Sequence, residues 1–159
     1  MNYIIKKFNE LSIDELYRIL QLRAEVFIVE QKCAYQDLDF KDQDAYHLML
    51  LTHDNILIAY TRLLPPEISY KDYSSIGRVI THSNYRTQGI GKDIMLKSIY
   101  YLDILFPHYN IKISAQSYLL KFYETFSFFT DGIEYLEDDI PHTAMIRHST
   151  HFEPQSKSY

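Results

Sequence analysis

Apolar residues recur along this chain at two periods, and the switches between them predict its elements. Tyr3 to Phe8 alternates well enough for a first strand. Ser12 and Glu15 then form a capping-box signature, and Leu16, Ile19, Leu20 and Phe27 recur at helical spacing, which predicts a helix over Ile13–Ile28. Gln31 to Tyr46 is polar and acidic and reads as a loop. Leu48–Thr52 and Ile56–Leu63 flank an Asp54-Asn55 turn as a hairpin, which Pro65-Pro66 ends. Ile76–Thr81 is a further strand. Beyond a polar turn, Ile90, Ile94, Tyr101, Leu102 and Leu105 mark the core face of a helix that Pro107 stops. Ile111–Gln116 reads as a strand, Ser117–Phe126 as a short helix with Ser117 as N-cap, and Phe129–Tyr135 and Thr143–Arg147 as two last strands.

The order β-α-β-β-β-α-β-α-β-β places the chain in the α/β class, as a mixed sheet with helices on its faces. No repeat or linker divides it, so residues 1–148 are expected to form one domain and the polar residues 149–159 a frayed tail.

Composition narrows the function. The 159 residues are 47% apolar and 23% charged, ordinary for a globular domain. Net charge is −5 with lysines and arginines scattered, which argues against a nucleic-acid partner. Charge arrives by Lys6, and no apolar run approaches the roughly 18 residues of a membrane helix, so the expected location is cytoplasmic, without membrane contact. A lone cysteine, Cys33, forms no internal disulfide and reads as a partly buried spectator. Asp37, Asp39, Asp42 and Asp44 suggest a calcium loop, but Lys41 and Gln43 stand where ligands or the required glycine belong. That run reads as a solvated loop able to attract an amine. No histidine spacing suits zinc, and no metal is expected.

Glycine is the anomaly: average usage of about 7% gives roughly 11 in this length, and the chain has four. Two of them, Gly89 and Gly91, close the run Arg86-Thr87-Gln88-Gly89-Ile90-Gly91 between a strand and an amphipathic helix. Glycines let the backbone approach a ligand, helix-start N–H groups point one way, and Arg86 and Lys92 add charge. Those are the requirements for holding a pyrophosphate. The spacing is wrong for a Walker loop, and no third glycine completes a dinucleotide fingerprint.

The run resembles motif A of the GNAT N-acetyltransferases, Arg/Gln-x-x-Gly-x-Gly/Ala. Phe122-Tyr123-Glu124-Thr125-Phe126-Ser127-Phe128 resembles the family's Phe-Tyr-Glu-x-Phe-Gly-Phe landmark. Arg23-x-Glu25-Val26-Phe27-x-Val29-Glu30-Gln31, Gly77-Arg78-Val79, Ala115-Gln116 and the run from Tyr135 to His142 are similar to its ElaA-like branch, over about residues 10–147. Ser127 and Asp139 replace family glycines.

The resemblance implies the acyl-CoA N-acyltransferase fold: a mostly antiparallel sheet, a splayed central pair of parallel strands, and helices on both faces. It implies acetyl-CoA as co-substrate, with the main chain of Val79, Ile80 and Thr81 pairing with the pantetheine arm. Arg86, Thr87, Gln88, Gly89, Ile90, Gly91 and Lys92 would hold the pyrophosphate. A free N–H on the first of those strands would polarise the thioester, an effect worth about 3 kcal/mol. Tyr123 matches the tyrosine that protonates the departing sulfur. For the general base, Glu25, Glu30, His142 and a water chain stay open. The function implied is direct acetyl transfer to a small-molecule or peptide amine in a ternary complex. The alternatives are a non-catalytic acetyl-CoA-binding regulatory module and a structural dimerisation domain; a homodimer is compatible with either.

Overall fold

In the computed structural model, which describes residues 1–150, the alternating segments become eight strands. They are β1 (Asn2–Lys7), β2 (Tyr46–Leu51), β3 (Leu57–Leu64), β4 (Tyr73–Thr81), β5 (Asn110–Gln116), β6 (Phe129–Thr130), β7 (Tyr135–Glu137) and β8 (Ile140–Arg147). The α-helices are α1 (Ile13–Arg23), α2 (Ile90–Leu105) and α3 (Leu120–Glu124). One mixed sheet runs β1-β2-β3-β4-β5-β8-β6, and β7 pairs with β8. Every pairing is antiparallel except β4 with β5.

The helices cover both faces. Ile19 and Leu22 of α1 pack on Met49, Leu51, Tyr60 and Ile80. Ile90 and Ile94 of α2 pack on Leu48, Leu50 and Ile58, and Met95, Ile99 and Leu102 join Ile111, Ile113, Tyr123, Phe126 and Met145. Central strands are buried on both sides, which is why β2 and β3 read as near-continuous apolar runs.

Helix α1 starts as its sequence predicts: Glu15 N–H donates to Ser12 Oγ (3.1 Å), and Ser12 N–H donates back to the Glu15 carboxylate (2.8 Å). Its regular turns end at Arg23, not Ile28, and a wider π-helical turn carries Ala24–Glu30. Arg23 and Val26 are buried beside Ile19 and Leu22, while Glu25 is half-buried.

Three other expectations need correction. The strand predicted over Phe129–Tyr135 is two short strands, β6 and β7, separated at Gly132 (φ +107°). The last strand starts at Ile140 because Asp138 and Asp139 (φ +50° and +61°) make a two-residue turn from β7, a type I′ geometry. Ser149 is buried: its N–H donates to Asn110 Oδ1 (3.0 Å) and its hydroxyl to the Pro107 carbonyl. The expected tail from residue 151 onward lies outside the described residues.

Asp139, which stands where the motif this run resembles carries glycine, takes the left-handed region, which strains residues that carry a Cβ. Asp139→Gly is expected to stabilise the protein by up to about 1 kcal/mol, a rise of roughly 2–4 °C in Tm by calorimetry. An unchanged or lower Tm would mean that the Asp139 side chain already offsets the strain.

Candidate active site

The site begins where the parallel pair fails. Strands β4 and β5 pair only at Tyr73↔Asn110 and Ser74↔Ile111, then part. The separation is helped by an irregularity in β4 against β3 between Tyr60 and Arg62, where Arg78 sits in the left-handed region (φ +52°). A cleft of about 780 Å³ runs along this opening. β4 lines it with Gly77, Arg78 and Val79, and β5 with Ile113, Ser114 and Gln116. Tyr123, His142 and Arg86 line it as well.

At one side lies the start of α2. Gly89 is its N-cap with φ +80°, a conformation that favours glycine, and open space surrounds the position of a Cβ there. The N–H groups of Ile90 and Gly91, in the first turn, have no partner within the helix, while those of Lys92 and Asp93 turn back to the Gly89 carbonyl (3.0 Å each). Thr87 Oγ1 donates to the Arg86 carbonyl (2.6 Å), Gln88 Nε2 to that of Asn84 (3.5 Å), and Lys92 is exposed. A Cβ on Gly91 would meet Thr81 Oγ1 at 3.5 Å, an ordinary contact. Val79 is half-buried on the cleft, whereas the Ile80 side chain is in the core, leaving that residue only its main chain to offer. Arg86 ties the loop to the strand: Nε donates to the Thr81 carbonyl (3.0 Å), and a terminal nitrogen bonds Glu30 Oε2 (2.7 Å).

The candidate catalytic residues separate here. Tyr123 lines the cleft with its ring against Phe122 and Phe128. Burial, reinforced by nearby Tyr118, pushes its pKa well above the ordinary value, so the hydroxyl is a donor throughout the neutral range. His142 also lines the cleft, and its Nδ1–H donates to the Ile140 carbonyl (2.7 Å). The neutral ring therefore keeps its lone pair on Nε2. Glu25 is placed elsewhere: Gln21 Nε2 donates to it (2.8 Å), His82 Nε2 stands 3.8 Å away, and it does not line the cleft. Glu30, the last residue of the π-turn, lines the cleft instead.

The acidic loop is also not a solvated run. Asp37 accepts from Arg23 Nε (2.8 Å) and Arg78 Nε (2.7 Å), and its carbonyl accepts from both guanidiniums (3.2 and 2.9 Å). Asp39 takes two bonds from Arg62 (2.7 Å each), and Asp42 takes one from Arg23 (2.8 Å) and one from Arg62 (2.9 Å). Burial alone would raise Asp39 and Asp42, but Arg62 and Arg23 overcome it and hold both below the usual carboxylate range. Beneath them, His47 Nε2–H donates to the Asp42 carbonyl (3.0 Å) and Nδ1 pairs with the Tyr60 hydroxyl (2.8 Å). Burial lowers the His47 pKa, so the ring stays neutral. Arg78 sits at the irregularity in β4, so this knot pins the loop to the edge of the cleft.

A family model described as an acetyltransferase (GNAT) domain matches residues 10–148. The chain belongs to the GNAT family. ElaA of Escherichia coli is 38% identical over 141 residues, covering 87% of this chain and 91% of ElaA. The ElaA crystal structure superposes with a TM-score of 0.86 at 35% identity over 93% of this chain and 100% of that one. The crystal structure of an acyl-CoA N-acyltransferase from Pseudomonas aeruginosa gives a TM-score of 0.87 at 39% identity, covering 93% of this chain and all of that one. The splayed β4–β5 pair in a mixed sheet is the GNAT fold, and GNAT proteins use acyl-CoA. Among the described residues this GNAT domain has no helix long and apolar enough to cross a membrane, and no group of three or more potential metal-ligating side chains.

Sequence reasoning missed the arginine partners of the acidic loop. Arg23, Arg62 and Arg78 each sit in an apolar strand or helix pattern, and an arginine at a core position is the signal that could have found them.

Proposed function

We propose that this GNAT domain transfers the acetyl group of acetyl-CoA to an amine by direct attack in a ternary complex. The observation that carries the reading is the parting of β4 from β5 over a cleft that gathers Val79, Arg86, Tyr123 and His142. The main chain of Val79, Ile80 and Thr81 offers the edge for the pantetheine arm. The N–H groups of Gln88–Gly91, with Arg86 and Lys92, fit a pyrophosphate, because Gly89 leaves open space where a side chain would stand. Arg86 exchanges Glu30 for phosphate oxygens as it does so.

The thioester supplies an activated acyl carbon: the amine nitrogen forms the new C–N bond, the C–S bond breaks, and the sulfur leaves with its electron pair. His142 Nε2 accepts the proton the amine loses. Tyr123 donates a hydrogen bond to the departing sulfur. A phenol near 10 is already a weaker acid than a thiol near 8.5, and burial widens that gap. Tyr123 therefore acts chiefly by hydrogen bonding the thiolate, with full proton transfer late.

Gly89→Glu tests the cofactor half. It forces a side chain into φ +80° and places a negative charge at the start of α2. Calorimetry with acetyl-CoA is expected to show binding lost while the circular dichroism spectrum stays native. Undiminished affinity would remove the loop from the cofactor site.

A further inference from the structure

Of the ion pairs whose members line the cleft, one is built differently from the rest. Arg62 and Arg78 are 3% and 19% exposed and pair with Asp39, in a network that also takes in Asp37 and Asp42. Arg86 and Glu30 are 45% and 30% exposed, and they meet across 56 residues of chain through a single contact of 2.7 Å. The buried set is fixed, since breaking it strands charge away from water. A pair as open as Arg86 with Glu30 contributes little, and it is the exchangeable one.

Both partners are held where they meet. Arg86 Nε donates to the Thr81 carbonyl (3.0 Å), which fixes the guanidinium at the end of β4, three residues before the N-cap of α2. Glu30 ends the π-helical turn, and the next residue, Gln31, is tied across the cleft by accepting from Gln116 Nε2 (3.3 Å) on β5. Glu30 makes no other ion pair among the described residues.

Pyrophosphate and this carboxylate are unequal rivals for Arg86. The pyrophosphate carries more charge and also engages the free helix-start N–H groups of Ile90 and Gly91. It displaces Glu30, but the broken pair and the carboxylate left nearby weaken its binding. Acetyl-CoA and the CoA left after transfer carry the same pyrophosphate, so a site that bound this group unopposed would hold product as firmly as substrate.

We propose that Glu30 is a built-in competitor of the cofactor: it holds Arg86 in the free protein, yields it to the pyrophosphate, and takes it back as CoA leaves. This deepens the acetyl-transfer reading and rests on its cofactor half. The competition lowers the affinity for acetyl-CoA and CoA alike and speeds release of the product.

The test is calorimetry with acetyl-CoA and with CoA on the wild type and on Glu30→Gln, which keeps the size of the side chain and removes its charge. The variant is expected to bind both about 3- to 10-fold more tightly, the range for loss of one part-exposed ion pair and one nearby like charge. S-acetylpantetheine, which has the arm and the thioester but no pyrophosphate, should gain nothing from the substitution. In an Arg86→Met background the gain from Glu30→Gln should fall below about 2-fold, because no guanidinium is left to compete for. Unchanged or weaker binding of acetyl-CoA by Glu30→Gln would show that Glu30 supports Arg86 instead of opposing the cofactor, and would overturn the inference. An equal gain for S-acetylpantetheine would overturn it too, by placing the effect at the arm, as would a full gain in the Arg86→Met background, which is plain charge repulsion. Failure of the wild type to bind acetyl-CoA at all would sink the cofactor reading and this inference with it.

Discussion

Tyr123→Phe is expected to lower kcat and kcat/KM together, by about 10²- to 10⁴-fold, in steady-state thiol release. The hydroxyl acts on charge that develops only as the sulfur departs, so its loss falls on the transition state. Acetyl-CoA affinity should barely change, because phenylalanine keeps the ring that packs against Phe122 and Phe128. Stability should fall by roughly 1 kcal/mol at most, the net worth of one neutral hydrogen bond. A tyrosine that served only packing would leave turnover intact, and full activity in the variant would take Tyr123 out of the mechanism. Tight acetyl-CoA binding by a wild type that acetylates no amine would favour a regulatory module instead.

The second large effect is on folding. Asp42 is 7% exposed and bonds both Arg23 and Arg62, and Arg23 is fully buried. Asp42→Ala removes one carboxylate from a paired set and strands buried charge, a change that costs about 3–5 kcal/mol. The melting temperature should drop by roughly 6–20 °C for a domain of this size. Asp42→Asn, which keeps an acceptor, should fall less far. The same knot predicts acid lability in two stages. His47 is held below its ordinary value, so its contribution is complete above the unfolded pKa near 6.5 and declines as pH falls below it. Asp39 and Asp42 are also held low, so theirs is complete above about 3.9 and is lost only in stronger acid. Melting curves against pH should show both steps, and His47→Gln should remove the upper one. A flat profile between pH 7 and 5 would show that His47 adds nothing.

What could be read in the sequence was what depends on local pattern. The capping box at Ser12 and Glu15, the apolar face of α2 and the glycine pair each act within a few residues, and each appears where its spacing predicts. The ElaA-like resemblance supplied the splayed strand pair, which no periodicity encodes. What spacing did not reveal has two causes: partners far along the chain, and local backbone geometry that residue pattern does not encode. Asp37 looked solvated because its partner Arg78 lies 41 residues away. Glu25 lies in a π-turn, off the residues that line the cleft, a placement helical spacing does not reveal. Asp138 and Asp139 carry no glycine to announce a turn, although both take left-handed backbone.

The two residue pairs that join β4 to β5 also make a mechanical element. Tyr73↔Asn110 and Ser74↔Ile111 are the hinge between the β1–β4 half of the sheet and the β5–β8 half. The β4 edge facing the cleft runs seven residues out to Thr81, or about 23 Å, while its other edge stays paired with β3. A rotation of about 3° at that hinge carries the tip through about 1 Å, and a displacement of that size in the reacting geometry can change rate by about 100-fold. Ser74, whose hydroxyl donates to the Asn110 carbonyl at 3.4 Å, sits at the fulcrum. The width of the cleft is thus set at a point that touches neither substrate, and small repacking around Ser74 is a route by which rate changes without any change in the residues that do the chemistry.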